Sequence, residues 1–129
     1  MRLVLDASVA VRALRPSEPG HLEAKNRVAR ILRGEDEAVV PPLFPVEVSA
    51  ALRRQGFAET EIMTFVDDLG IKVFTMGPRA ADAARRVALK TKLRGADAIY
   101  VWLAESQRVP LCTTDHEIID RASCTIVTP

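Results

Sequence analysis

Short apolar runs alternate along this chain with longer segments of helical character, and this alternation restricts the possible folds more than any other feature. Strands that alternate with helices favour a mainly parallel sheet that helices cover on both faces. The expected fold class is therefore α/β, with about four to five strands in a single domain over residues 1–129. The strand-like runs are RLVL from Arg2, EAVVP from Glu37, IKVFT from Ile71, PLCTT from Pro110 and CTIVT from Cys124.

The segments between these runs carry helix signals. Apolar residues at approximate helical spacing predict a helix from His21 to Leu32, and Gly34 follows as a stop. Gly56 and Gly70 similarly end the helical segments LFPVEVSAALRRQG and ETEIMTFVDDLG. The remaining helices are predicted at SVAVRAL, at GPRAADAARRVALK, after Asp97 and near HEIIDRA.

The charge balance and the length of the apolar runs argue against two broad classes of protein. The formal net charge is +1, whereas globally basic nucleic-acid-binding domains usually have a pI above about 9, so any nucleic-acid contact must be local. No apolar run reaches the roughly 18 residues that cross a bilayer, and an acid interrupts MRLVLDASV where a signal peptide would be apolar. We therefore expect a cytoplasmic protein with no membrane partner.

The cysteines Cys112 and Cys124 and the histidines His21 and His116 lack the spacing of a metal site. Each cysteine lies in a strand-like run where a small apolar side chain would serve equally well, so both are expected to be core thiols. A disulfide is possible if their strands are neighbours, and the sequence leaves that question open. The absence of a Cys/His cluster argues against zinc.

Two acids lie where predicted strands end. Asp6 follows the first strand and Asp115 follows the fourth, and open parallel sheets bind ligands beyond the carboxyl ends of their strands. Both positions also have a structural interpretation. Asp6 is a suitable N-cap for the next helix, and Thr114 with Glu117 three residues later fits a capping box. Taken singly, each acid is ambiguous.

Two further acids lie on predicted helices. Glu47 has no basic residue three or four positions away, so it is expected to face a ligand, a distant arginine or solvent. Asp97 opens a helix that is apolar nearly all round and must therefore be central. Asp97 could cap that helix or pair with Arg94, and it is also directed towards the edge of the sheet.

These four acids can converge on one cleft, and convergence is costly without a counter-ion. Two like charges about 4 Å apart repel by roughly 4 kcal/mol at an effective dielectric constant near 20. A divalent cation would remove that repulsion, and an all-oxygen ligand set suits Mg²⁺ or Mn²⁺. The acids therefore predict a magnesium or manganese site.

The sequence resembles the PIN-domain family, most closely the VapC-type toxin ribonucleases of toxin-antitoxin pairs. The matching stretches are LVLDASV, VPPLFPVEVSAAL, GADAIYVWLA and LCTTDHEI, in family order and over essentially the whole chain. The resemblance implies a PIN fold and hydrolysis of RNA phosphodiester bonds with Mg²⁺ or Mn²⁺. It implies Asp6, Glu47, Asp97 and Asp115 as catalytic and metal-binding residues, with Ser8 and Thr113 as second-tier groups.

The resemblance also implies partners, namely an RNA substrate, a small cognate antitoxin and a second copy of the chain in a homodimer. Substrate approach needs positive charge beside the acids, and the candidates are Arg12, Lys92 and Arg94. Lys90 and Lys92 also suit the carboxyl end of a helix, where cations are favourable. The number of metal ions and the RNA sequence that is cut stay open.

Two alternative functions fit the same framework. A magnesium-dependent phosphatase that forms an aspartyl phosphate usually has a second aspartate two residues after the first, and Ser8 stands at that position here. A non-catalytic module that binds RNA or protein could use the same fold, because fold alone does not determine function.

Overall fold

The computed structural model describes all residues from Met1 to Pro129 and contains five strands and seven helices. The strands are β1 (Arg2–Leu5), β2 (Glu37–Val40), β3 (Lys72–Val73), β4 (Leu111–Cys112) and β5 (Ile126–Val127). The helices are α1 (Ala7–Arg12), α2 (His21–Leu32), α3 (Leu43–Arg54), α4 (Glu59–Asp68), α5 (Pro78–Thr91), α6 (Gly95–Gln107) and α7 (His116–Arg121).

The five strands form one sheet in the order β3-β2-β1-β4-β5, and every pairing is parallel. This confirms the predicted α/β class. The chain builds outward from β1 to β3 on one side and then crosses to β4 and β5 on the other. The strand order therefore reverses between β1 and β4, where Leu5 is in register with Cys112. Ligand sites in open α/β sheets lie at such a reversal, beyond the carboxyl ends of the strands.

The outer strands are shorter than their apolar runs. Both residues of β3 are exposed, as expected of an edge strand, although Phe74 N also donates a 2.9 Å hydrogen bond to Val40 O. At the sheet centre, Leu3, Val4 and Leu5 of β1 are fully buried. These apolar residues place the carboxyl end of β1 deep in the domain.

Helix α6 is the central helix that its composition predicts. It packs against α5, β1 and β4, and it buries Ala98, Tyr100, Val101, Leu103 and Ala104. Because its amino-terminal turn carries Asp97, burial of the rest of the helix determines where that acid lies.

An ionic cluster around Asp36 holds α2 at the amino-terminal end of β2. Asp36 is 3% exposed and accepts hydrogen bonds from Arg27 Nη1 at 2.8 Å, Arg30 Nε at 2.9 Å and the Met1 amine at 2.7 Å. Arg30 and the other donors hold the pKa of Asp36 well below its usual range. Three cationic partners compensate for burial of this carboxylate.

The two cysteines are free, although their strands are neighbours. Cys112 is fully buried and Cys124 is partly buried, so the expectation of core thiols holds best for Cys112. None of the seven helices combines the length and the hydropathy needed to cross a bilayer.

Candidate active site

Asp6 lies at the carboxyl end of β1 and is 7% exposed. It caps α1, because Oδ1 accepts a hydrogen bond from Ser8 N at 3.4 Å. Its other oxygen, Oδ2, accepts from Ser8 Oγ at 2.8 Å and from Thr113 Oγ1 at 2.7 Å. Both second-tier residues predicted for the site therefore contact Asp6. Capping and proximity to the other acids are compatible in one carboxylate.

Asp115 is the N-cap of α7, with Oδ1 accepting from Glu117 N at 2.9 Å and from Ile118 N at 3.2 Å. The predicted capping box starting at Thr114 is wrong by one residue. The Thr114 hydroxyl instead accepts a 2.8 Å hydrogen bond from Arg12 Nη1, on α1. Both threonine and aspartate are good caps, and this tertiary contact explains which of them is used.

Glu47 lies on α3, and its hydrogen-bond partner within the protein is a tyrosine rather than an arginine. Tyr100 Oη on α6 donates a 2.7 Å hydrogen bond to Glu47 Oε1. Because Glu47 is partly exposed, its carboxylate still reaches the surface of the cleft. This bond connects the helix that carries Glu47 with the helix that carries Asp97.

Asp97 is the third residue of α6 and does not cap it, because the N-cap position is Arg94. Its side chain forms no ion pair with Arg94, although the guanidinium acts on it electrostatically and lowers its pKa. Among the four acids, only Asp97 has no hydrogen-bond donor within the protein for its carboxylate. A partly buried carboxylate without a partner is energetically costly and is typical of a functional group.

The pKa values of these acids reflect burial and mutual repulsion. Burial, and then the charges of Asp115 and Asp6, raise the pKa of Asp97 to about 6. Burial also raises the pKa of Glu47, an effect that the hydrogen bond from Tyr100 opposes and the charge of Asp6 reinforces. The pKa of Asp6 is raised by burial, although hydrogen bonds from Thr113 and Ser8 lower it. The four acids therefore share one region of negative potential.

The acids are close enough to influence the pKa values of one another. No three of them lie near enough to form a ready-made metal site, however, and the same is true of the other acid, histidine and cysteine side chains. Asp6, Glu47 and Asp115 are instead turned towards protein donors. The available ligand atoms are all carboxylate or hydroxyl oxygens, the set that Mg²⁺ and Mn²⁺ prefer. The chemistry of these residues therefore fits a hard divalent cation, and binding one requires some of the carboxylate side chains to rotate.

A cleft of about 530 Å³ opens between α1 and α3, and Glu47 is the one of the four acids that lines it. Ser8 and Glu47 reach it, and so do three arginines, Arg12, Arg15 and Arg54. Arg15 is paired with Glu18, which also lines the cleft, at 2.6 Å. Positive charge from Arg12 on α1 and Arg54 on α3 thus lies in the same cleft as Glu47.

The predicted basic residues are not all in this cleft. Arg12 lines it, whereas Lys92 and Arg94 are exposed in the turn that joins α5 to α6. Lys92 ends α5 in a left-handed conformation, with φ 61°, and its carbonyl accepts a hydrogen bond from Arg121. The structural interpretation of Lys92 as a helix-terminal residue is therefore the better supported one.

Sequence reasoning missed Tyr100, Thr114, Arg15 and Arg54 as neighbours of the acids. Tyr100 alone had a usable signal, because it lies three residues after Asp97 and so on the same helix face. The contact from Arg12 to Thr114 spans 102 positions and had no local signal.

Comparison with known proteins agrees with this architecture. The model of the PIN domain matches residues 3–123. Ribonuclease VapC12 of Mycobacterium tuberculosis is 36% identical over 121 residues, which are 90% of this chain and 88% of that protein. Among solved structures, VapC20 of Mycobacterium tuberculosis, described as a sarcin-ricin loop cleaving toxin, superposes with a TM-score of 0.76 at 12% identity, covering 98% of this chain and 99% of that one.

VapBC2 from Rickettsia felis, bound to a DNA fragment from its promoter, gives a TM-score of 0.72 at 8% identity, covering 99% of this chain and 98% of that one. At these identities the structural matches support the fold alone. The sequence matches go further, because the PIN domain match spans residues 3–123 and VapC12 is 36% identical over 90% of this chain. The chain therefore belongs to the PIN domain family.

Proposed function

We propose that this protein is a metal-dependent endoribonuclease and the toxin of a type II toxin-antitoxin pair. The observation that carries this proposal is that four acids influence one another electrostatically near the reversal of strand order, with Asp97 partly buried and lacking a protein donor. A site of like charges without internal compensation is suited to a cation. The name of the relative VapC12, a ribonuclease, supports RNA as the substrate.

Asp6, Glu47, Asp97 and Asp115 would hold Mg²⁺ or Mn²⁺ in this proposal. The cation, when bound, supplies Lewis acidity towards a phosphate oxygen and lowers the pKa of an attacking water. Ser8 and Thr113 position Asp6 through hydrogen bonds to Oδ2. Asp97, whose carboxylate has no protein donor, is suited to orient the attacking water.

Arg12 is the best-supported residue for RNA binding, because it lines the cleft and is held by Thr114 beside Asp115. Arginine forms bidentate contacts with phosphate, which suits a backbone contact that carries no sequence information. Arg94, exposed next to the turn that carries Asp97, is a second candidate, and Lys92 is a weaker one.

The proposal includes two protein partners. It also places this chain and its RNA substrate in the cytoplasm. One partner is a cognate antitoxin, and the fold that this chain shares with VapBC2 supports that pairing. We also propose a homodimer. Sedimentation of the purified chain, alone and after co-expression with the neighbouring reading frame, would test both assemblies.

The deciding experiment for catalysis is incubation of purified protein with structured and single-stranded RNA in Mg²⁺ or Mn²⁺. We expect cleavage that stops when a chelator is added, and that is absent in Asp97→Asn. The matched control is Asp67→Asn, which removes an exposed acid on α4 and should cut RNA normally. Full activity in chelator would overturn the metal mechanism.

The same assay separates the two alternatives. A phosphatase would release inorganic phosphate from small esters and leave RNA whole. In the structure, the position of the usual second aspartate is held by Ser8, whose hydroxyl donates to Asp6 Oδ2, so an acid is missing from that place. A binding module would retain RNA without cutting it under any metal.

A further inference from the structure

Tyr100 is the only tyrosine of the chain and is 1% exposed. Its hydroxyl donates to Glu47 Oε1 at 2.7 Å, although the two residues are 53 positions apart. Burial raises the pKa of Tyr100 and the Glu47 carboxylate raises it further, so the hydroxyl keeps its proton. A buried tyrosine hydroxyl needs a partner, and this need alone could explain the contact. The position of Tyr100 between Glu47 and the turn that carries Asp97 indicates an additional role in the site.

The position of Tyr100 on α6 relates it directly to Asp97. The two residues are three positions apart, so their side chains leave the same face of the helix on successive turns. Glu47 reaches that face from α3. The bond from Tyr100 therefore holds the acid of one helix against the turn that carries the acid of another.

The hydrogen bond also restricts the Glu47 carboxylate but leaves part of its capacity to accept ligands free. Tyr100 is the only protein donor to this carboxylate, and it uses Oε1 alone. A carboxylate offers about four lone-pair directions, so a single donor restricts its rotation and leaves Oε2 available. The cleft between α1 and α3 reaches Glu47, so a small ligand has access to the free oxygen.

We propose that Tyr100 is a positioning residue that holds the Glu47 carboxylate beside Asp97 in the orientation used to bind a divalent cation. This inference rests on the proposed function, because it requires Glu47 to be a metal ligand. Partners of this kind, which contact a ligand rather than the metal, commonly change metal affinity or activity by about 10- to 100-fold when removed.

The experiment is a calorimetric titration of the purified full chain with Mn²⁺ alone. The variants are Tyr100→Phe, Glu47→Ala and the double substitution. We expect Tyr100→Phe to weaken Mn²⁺ binding by about tenfold. We expect the same change to have no further effect when Glu47 is already alanine, because the tyrosine acts through that carboxylate.

Ser106→Ala is the matched control. Its hydroxyl donates to Leu103 O at 3.0 Å near the other end of the same helix, and its loss should leave Mn²⁺ affinity unchanged. A merely structural Tyr100 would alter the free energy of unfolding and leave Mn²⁺ affinity at the wild-type value. That result, combined with weaker binding by Glu47→Ala, would overturn the inference and leave the proposed function standing. Wild-type protein that binds no Mn²⁺ would overturn both.

A second measurement applies even if Tyr100→Phe does not fold. Because the chain has a single tyrosine, incorporation of 3-fluorotyrosine places one fluorine label beside Glu47 and retains the hydroxyl donor. We expect Mg²⁺ to shift this ¹⁹F resonance in the wild-type chain and to leave it unmoved in Glu47→Ala. A resonance that stays constant while calorimetry records Mg²⁺ binding to the labelled chain would contradict the inference.

Discussion

Thr113 and Asp6 join the two strands between which the sheet reverses its order. Thr113 Oγ1, fully buried after β4, donates a 2.7 Å hydrogen bond to Asp6 Oδ2 at the end of β1. The same hydroxyl accepts from Asp115 N at 3.1 Å. One threonine therefore links two of the four acids, and its hydroxyl determines how they are placed.

Thr113→Val should destabilise the protein by about 2 kcal/mol, because a hydrogen bond to a charged group contributes roughly 1.5–3 kcal/mol. Urea unfolding at pH 7.5 without metal would measure this change. Thr113→Ser keeps the hydroxyl and should recover most of the loss. Equal stability of the valine variant and the wild type would show that the bond to Asp6 contributes little.

Asp97→Asn should stabilise the metal-free protein at neutral pH. The pKa of Asp97 is about 6, above its ordinary value of 3.8, so the folded state binds this proton more tightly than the unfolded state. Stability from this group is therefore complete below pH 3.8 and is lost as pH rises through about 6. Because solvent screens this partly exposed group, we reduce the effect and expect the free energy of unfolding of the variant to rise by about 1 kcal/mol at pH 7.5.

Thermal or urea unfolding between pH 4 and 8 would follow this difference, which should shrink to nothing at the acid end. Asp67→Asn makes the same change of net charge on an exposed part of α4 and should not reproduce the trend. A gain that is independent of pH would mean that the raised pKa of Asp97 is not its cause.

Binding of a divalent cation should offset the loss of stability that the charged Asp97 carboxylate causes at neutral pH. Mn²⁺ at about one hundred times its dissociation constant should raise the free energy of unfolding by roughly 2.7 kcal/mol. Melting curves with Mn²⁺, and again after chelation, would measure the shift. Asp97→Asn should melt higher than the wild type without metal and gain less from Mn²⁺. An equal metal-induced shift in the two proteins would exclude Asp97 as a ligand.

The fold was predictable because its signals are local. Apolar runs, stop glycines and the apolar circumference of α6 each depend on residues close in sequence, and together they predict the parallel sheet. The positions of Asp6 and Asp115 followed from the same reasoning, since each ends a strand. What local patterns could not decide was the cap of α7, where Thr114 and Asp115 are both suitable.

The contacts that organise the site were not predictable, because they connect distant parts of the chain. Glu47 had no local partner, and spacing alone could not reveal that a tyrosine 53 positions away would supply one. The same holds for Arg12 and Thr114, and for the cluster around Asp36. Such pairs depend on how helices pack over the sheet, which no short window of sequence encodes.

Asp36→Asn should destabilise the protein without affecting RNA cleavage, because Asp36 lies in a structural ion cluster. Removing one partner of a buried ion pair costs about 3–5 kcal/mol, so we expect a loss of about 3 kcal/mol at pH 7. Because the pKa of Asp36 is lowered in the folded state, its stabilisation is present in full above the unfolded pKa of 3.8 and is lost gradually as pH falls from there through the much lower folded-state pKa.

Urea unfolding at pH 7 and again near pH 3 would test this, and the difference between the variant and the wild type should begin to narrow at the lower pH. The sign is opposite to that expected of Asp97→Asn, although both changes remove one negative charge. If the two substitutions changed stability in the same direction at pH 7, net charge rather than local environment would be the controlling factor.

Arg12→Gln should weaken RNA binding through the loss of a phosphate contact. Made in the Asp97→Asn background, which prevents cleavage, the variant allows equilibrium affinity to be measured by fluorescence anisotropy over a range of salt concentrations. Loss of one phosphate contact should reduce the slope of log K against log salt by about 0.7 for single-stranded RNA. Arg79→Gln, at an exposed position on α5, is the matched control and should keep the parent slope. A parent-like slope in Arg12→Gln would remove this arginine from the proposed RNA path and leave its bond to Thr114 as a purely structural contact.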